Sequence, residues 1–176
     1  MTPENVLNTF KKKFGNGIKE AKAEKLPNIL AKRTDCSRVW FSVEKKEFIG
    51  VVKFLCEKFE NPHFAVCSGY DLGQTIEIIY HFSVNYDSDL SEISVSIKVK
   101  LSKKDLAIPT ITGLIPGAVI SEREIQEMLG VTVDGIPDPR RLFLDDEFPK
   151  GVYPWRKDKT GPDKLVRDMH EEDKSR

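Results

Sequence analysis

The chain has 176 residues, with 28 Lys plus Arg against 28 Asp plus Glu, so its formal net charge at pH 7 is zero. That length is one domain by size and can bury a hydrophobic core without disulfide or metal staples. Zero net charge excludes an overall field that would pull the protein to nucleic acid or an anionic membrane, and no run approaches the roughly 20 apolar residues of a membrane span.

Residues 4–14 predict a short basic amphipathic helix, with Val6, Leu7, Phe10 and Phe14 on one side and Lys11, Lys12 and Lys13 largely on the other. Gly15-Asn16-Gly17 ends it. Residues 18–34 are rich in Lys, Glu and Ala, and their propensity predicts helix up to Pro27. Arg38-Val39-Trp40-Phe41-Ser42-Val43 predicts a strand. A helix is expected over residues 44–59, because Phe48, Val52, Leu55 and Phe59 recur at helical spacing. Asn61-Pro62 stops it. Residues 64–70 predict a second strand, Asp71-Leu72-Gly73 a turn, and residues 75–85 a third strand. In that third strand Ile76, Ile78, Tyr80, Phe82 and Val84 share one face. Tyr86-Asp87-Ser88-Asp89 supplies a turn into residues 91–101, where Ile93, Val95, Ile97, Val99 and Leu101 alternate with Ser94, Ser96, Lys98 and Lys100. The pattern β-α-β-β-β predicts an α+β fold: a mostly antiparallel sheet with helices packed on one face, the last two strands forming a hairpin.

Residues 121–158 are different in kind, because charged residues are packed among prolines, glycines and large apolar side chains. Ser121 followed three residues later by Glu124 has capping-box spacing, and Ile120 with Ile125 fits a hydrophobic staple. Gly130 suits the position just past a helix end. These signals predict a helix of about two turns, with Glu122 and Glu124 at the positive end of its dipole. Capping does not account for Arg123, for Arg140 and Arg141, or for Arg156, Lys157 and Asp158 beside Pro154 and Trp155. Arginine beside aromatics is common at interfaces and also on plain surfaces. The residues alone leave both readings open.

No constellation for chemistry stands out. Cys36, Cys56 and Cys67 form no CxxC pair, and Cys56 and Cys67 lie in apolar runs as small core residues. Their scatter predicts a reducing compartment, and Met1-Thr2-Pro3-Glu4 begins no secretory leader. His63, His81 and His170 lack ligand spacing, and His81 reads as a satisfied polar residue of a strand. Neither a nucleophile motif nor a phosphate loop is present.

The run Glu122-Arg123-Glu124-Ile125-Gln126-Glu127-Met128-Leu129-Gly130 resembles the signature of a small hydrophilic peripheral-arm subunit of respiratory complex I and of its counterpart in membrane-bound, energy-converting nickel–iron hydrogenases. Pro137-Asp138-Pro139-Arg140-Arg141-Leu142-Phe143-Leu144 and Tyr153-Pro154-Trp155-Arg156-Lys157-Asp158 follow in the same order as in that family. Glu127 stands where respiratory members usually carry Asp, Tyr153 where many carry His, and Trp155 where Leu is common. With the Lys/Glu-rich composition, these departures favour an archaeal, heat-adapted member of hydrogenase or sulfur-reductase type.

The resemblance implies a subunit without a cofactor or catalytic residue of its own, in a complex that couples electron transfer to ion translocation. It implies a hydrogenase-like large subunit and iron–sulfur electron-transfer subunits as partners, carrying the nickel–iron centre and the iron–sulfur clusters. Association with the membrane would be indirect, on its cytoplasmic side. Arg123, Arg140 and Arg141 would grip carboxylates or carbonyls. Glu122, Glu124 and Glu127 would be acidic partners, local or across the interface, and Tyr153 and Trp155 would be anchors beside Arg156, Lys157 and Asp158. Residues 1–34 are then an N-terminal helical segment, 35–120 the α/β core, 121–159 a capped helix and extended docking segment, and 160–176 a polar tail. The equivalent subunit of an NADH or deazaflavin-linked quinone dehydrogenase is the rival within the family. A stand-alone nucleic-acid binder would need a basic sheet face with exposed aromatics, which residues 91–101 do not offer.

Overall fold

A computed structural model describes residues 1–26, 36–86, 92–163 and 165. Helix α1 (Pro3–Phe14) is followed by strands β1 (Lys19–Leu26) and β2 (Cys36–Val43), helix α2 (Lys45–Lys58), and strands β3 (His63–Asp71), β4 (Thr75–Val84) and β5 (Ile93–Ser102). A short strand β6 (Ala107–Pro109), helix α3 (Val119–Leu129) and strand β7 (Thr132–Asp134) complete the described elements. The main sheet has five strands in the order β1-β2-β5-β4-β3, and β6 pairs with β7 in a separate small sheet. Only β2 with β5 is parallel within the main sheet; its other three pairings are antiparallel. The expected hairpin is β4–β5, in register from Thr75 opposite Ser102 to Val84 opposite Ile93.

All three helices cover one face, as the α+β expectation requires. Register puts Phe41, Ile97, Tyr80 and Cys67 in one row across the sheet, with Val43, Val99, Ile78 and Gly69 in the next. Phe10 of α1 meets Phe41 with ring centroids 4.9 Å apart, and Phe48 of α2 meets Tyr80 at 4.6 Å. At Gly69 a Cβ would collide with the side chain of Leu129 and come within 3.0 Å of Ile125, so the glycine lets α3 sit close to β3. Burial of these apolar faces is the main stabilising term of the fold. On the opposite face His81 lies between Ser68 (2.7 Å from Nε2) and Ser96 (3.0 Å from Nδ1), with burial lowering its pKa. His81 is thus a satisfied, half-buried strand residue, as its sequence context suggests.

The helix expected from residue 18 onward is corrected. Residues 19–26 form β1, antiparallel to β2 in a register from Lys19 opposite Ser42 to Leu26 opposite Cys36. Ala21 and Ala23 pack against the core and Lys22 between them is exposed, so the period here is two. Pairing along β2 outweighs the helix propensity of Lys, Glu and Ala, a weak local preference. The remainder of the expected N-terminal helical segment, residues 27–34, lies outside the described residues, as do most of the turn expected at 86–89 and most of the polar tail. Among the described residues no helix is long and apolar enough to cross a membrane.

Candidate docking site

Helix α3 organises everything that follows. It runs three turns from Val119 to Leu129, not two from Ser121. Ala118 occupies the N-cap, because a 3₁₀ turn at Pro116–Ala118 leads straight into the helix. Ser121 therefore lies inside the first turn and its capping box with Glu124 does not form; Glu124 is half-buried. Ile120 is exposed while Ile125 is in the core, so the staple is absent as well. The C-terminal expectation is met: Gly130 adopts φ 68 and its N–H donates to Gln126 O at 3.0 Å.

Glu122, expected as a partner of the arginines locally or across the interface, is 0 % exposed and serves the interior of the chain, with local partners that are not the arginines. Its carboxylate accepts from Thr110 Oγ1 at 2.5 Å, Ile111 N at 2.9 Å and Tyr80 Oη at 3.4 Å. Burial raises its pKa, and these three donors oppose the rise. The bonds tie α3 to β4 and to the chain leaving β6.

Glu127 and Arg123 hold the loop that follows β7, and both are used inside the chain rather than presented outward. The Glu127 carboxylate accepts three successive backbone N–H groups: Leu142 at 3.2 Å, Phe143 at 2.8 Å and Leu144 at 2.9 Å. Arg123 donates from Nε to Arg140 O at 2.8 Å and from Nη2 to Arg141 O at 2.7 Å. This is the carbonyl-gripping geometry expected of the arginines, directed at the chain's own loop. Arg141 continues it, donating to Asp145 O and to Phe148 O at 3.1 Å. Arg140 pairs with Asp138, Nε to Oδ1 at 2.8 Å, and the two arginines at 140 and 123 hold the Asp138 carboxyl well below the usual range. The side chain of Arg140 is still 82 % exposed.

The third motif straps across the end of the helix. Trp155 N donates to Met128 O at 3.0 Å and Arg156 Nη1 to Leu129 O at 3.2 Å, satisfying carbonyls that have no partner within the helix. The Tyr153 ring fills the space over Gly130, where a Cβ would lie 2.5–2.8 Å from its atoms. Arg156 is buried and pairs with Asp158 at 2.8 Å, while Lys103 bridges Asp158 (2.5 Å) and Asp71 (2.8 Å). Asp71 also accepts the Lys157 N–H at 2.8 Å, fastening the strap to the end of β3; the Lys157 side chain is exposed. Arg156 and Asp158 thus make internal clamps within the strap.

The structure packs the second and third motifs against the helix that carries the first, leaves Glu124 and Tyr153 half-buried, and divides the other expected contact residues in two. Glu122, Arg123, Glu127, Arg141, Arg156 and Asp158 shape the segment; Arg140, Trp155 and Lys157 face outward. Between the pinned loop and the strap lies a cleft of about 240 Å³. Sequence reasoning missed Phe143, which is 63 % exposed against 42 % for Trp155. Its signal was a large aromatic inside a charged, proline-rich run. It also missed Asp71, Lys103 and Asp138; Asp71 stood out only as a turn residue. Among the described residues no three His, Cys, Asp or Glu side chains come together to hold a metal ion.

Residues 41–164 match the protein family described as "Respiratory-chain NADH dehydrogenase, 30 Kd subunit". The membrane-bound hydrogenase subunit beta of Pyrococcus furiosus is 32% identical over 165 residues, covering 93% of this chain and 90% of that protein. A subunit of the NADH-quinone oxidoreductase of Aeromonas salmonicida is 33% identical over 142 residues, and the match covers 72% of this chain but only 22% of that longer protein. In fold, the chain resembles one in the structure of a membrane-bound sulfane sulfur reductase, an archaeal respiratory membrane complex, with a TM-score of 0.68 at 17% identity over 98% of this chain and 89% of that one. The match over residues 41–164 contains every element from α2 to β7 together with the pinned loop and the strap, and on it the chain belongs to the family of the 30 Kd subunit of respiratory-chain NADH dehydrogenase.

Proposed function

We propose that this chain is a non-catalytic, peripheral-arm subunit of a complex I-related, membrane-bound oxidoreductase of hydrogenase or sulfur-reductase type. It docks a nickel–iron hydrogenase-like large subunit against iron–sulfur electron-transfer subunits on the cytoplasmic side of the membrane. The similarity to a membrane-bound hydrogenase subunit, over 93% of this chain and 90% of that protein, supports the class of complex. The observation that carries the docking role is the loop of residues 137–148. Side chains from α3 and Arg141 fix its backbone at residues 140–144 and again at 148, while Phe143 and Arg140 remain outside. A rigid backbone bearing an exposed aromatic and a guanidinium is the form of a pre-organised binding anchor. Electron transfer falls off steeply with distance between centres, and a rigid dock sustains it by holding the partners' centres at fixed spacing.

The test is purification of the complex through a tag on this chain carrying Phe143→Ala with Arg140→Ala. Loss of the large subunit, with the chain itself still folded, is the expected result. A fully assembled complex with undiminished hydrogen evolution or sulfur reduction would sink the docking role, and turnover by the isolated chain would refute the non-catalytic one.

A further inference from the structure

The cleft between the pinned loop and the strap is cationic once its internal bonds are accounted for. Arg123, Arg140, Arg141 and Lys150 line it, with Tyr153, Leu144 and Glu127. Glu127 is its single acid, and both of its oxygens already accept backbone N–H groups. Arg123 and Arg141 direct donors at carbonyls of the loop, and Arg140 and Arg123 both pair with Asp138, which lies outside the lining of the cleft. The Lys150 ammonium and the Tyr153 hydroxyl have no hydrogen-bond or ion-pair partner among the described residues. Among the described residues, these two donors are left without a partner in a positively charged recess whose walls are fixed by other bonds.

We propose that this cleft receives a carboxylate side chain from an extended segment of a neighbouring subunit, with Lys150 as its ion-pair partner and the Tyr153 hydroxyl as a second donor. The inference rests on the docking role proposed above and names the chemistry of the partner at that surface. Charge complementarity favours an anion. The size of the cleft, the apolar Leu144 in its wall and the exposed Phe143 on the same loop favour an anion carried on a chain, whose flanking residues bury those side chains. The neighbouring negative charge of Glu127 favours a monoanionic carboxylate over a multiply charged phosphate.

Carbodiimide treatment of the intact complex tests the contact, because it joins a lysine to a carboxylate only when the two are in direct contact. The expected product links Lys150 to an Asp or Glu of another subunit, found by mass spectrometry of the digested complex. Lys150 left free, or joined only to acids of its own chain, overturns the proposal. Lys150→Glu is expected to lower recovery of the partner by about tenfold and Tyr153→Phe by about threefold, with the melting temperature of the isolated Lys150→Glu chain unchanged. If Phe143→Ala with Arg140→Ala releases the partner while Lys150→Glu does not, the docking role stands and the cleft assignment falls. Inorganic phosphate that slows hydrogen exchange around Tyr153 in the isolated chain as strongly as assembly does would identify a small-anion site and overturn it too.

Discussion

The Glu127 carboxylate lies 2.8 Å from the backbone nitrogen of Phe143. One helix side chain thus sets the position of the most exposed aromatic of the docking segment, through the backbone and not through the ring. Glu127→Gln replaces one acceptor oxygen with an NH₂ group that faces other donors. The substitution is expected to cost about 1–3 kcal/mol in denaturant unfolding and to speed hydrogen exchange at Leu142, Phe143 and Leu144 while the core of the sheet stays protected. Glu127→Asp keeps the charge on a shorter arm and is expected to recover only part of that protection. Unchanged exchange in both variants would show that the loop holds its shape without the carboxylate.

Gly130 and Gly73 separate two effects of a glycine. Both have positive φ, 68 and 86, but an added Cβ meets the Tyr153 ring at Gly130 and nothing within 4 Å at Gly73. Gly73→Ala is therefore expected to cost about 1–2 kcal/mol, the penalty of a left-handed backbone alone. Gly130→Ala should cost more, because it also displaces Tyr153 from the helix end. In a Tyr153→Ala background the excess should vanish, which a double-mutant cycle by denaturation measures.

Acid should release the strap. Burial by itself would raise the Asp71 carboxyl, but the Lys103 ammonium and the N–H groups of Lys157 and Gly73 outweigh it and leave the pKa below the ordinary 3.8. Asp158 is held well below its usual range, first by Lys103 and then by Thr160. A depressed carboxyl contributes stability that is fully present above its unfolded pKa and lost as pH falls through the folded one. Unfolding free energy is thus expected to decline below about pH 4. Asp71→Asn should remove about 3 kcal/mol at pH 7 and flatten the decline, as read from denaturation between pH 2 and 7.

Glu122 has the opposite sign. Its pKa is raised above the ordinary 4.5, chiefly by burial. Its favourable contribution is fully present below the unfolded pKa and is lost as pH rises through the folded value. Glu122→Gln keeps an acceptor and removes the buried charge, so its stability relative to the wild type should improve as pH rises above about 4.5. A difference that is constant from pH 4 to 8 would place an ordinary, solvated carboxylate at this position.

The divide between sequence and structure follows the range of the forces involved. Alternation in β4 and β5, the apolar spacing of α2 and the glycine ending α3 are local patterns, and they were legible because each repeats within a few residues of itself. β1 was not legible, since its period-two face consists only of Ala21 and Ala23 and its stability comes from β2, which lies beyond a connection of nine residues, 27–35. The Ser121 cap was a sound local signal overridden by the preceding 3₁₀ turn.

The sequence by itself determined that three charged motifs belong together, through their order and spacing, and that the chain resembles the family to which it belongs. Only the tertiary structure decided which of those charges face inward. Glu127 reaches amides at positions 142–144 and Asp71 reaches the Lys157 amide because the fold closes gaps of 15 to 86 residues. A carboxylate bonded to its own backbone and one awaiting a partner are the same letter in a sequence. Burial and hydrogen-bond geometry distinguish them, and both are properties of the folded chain.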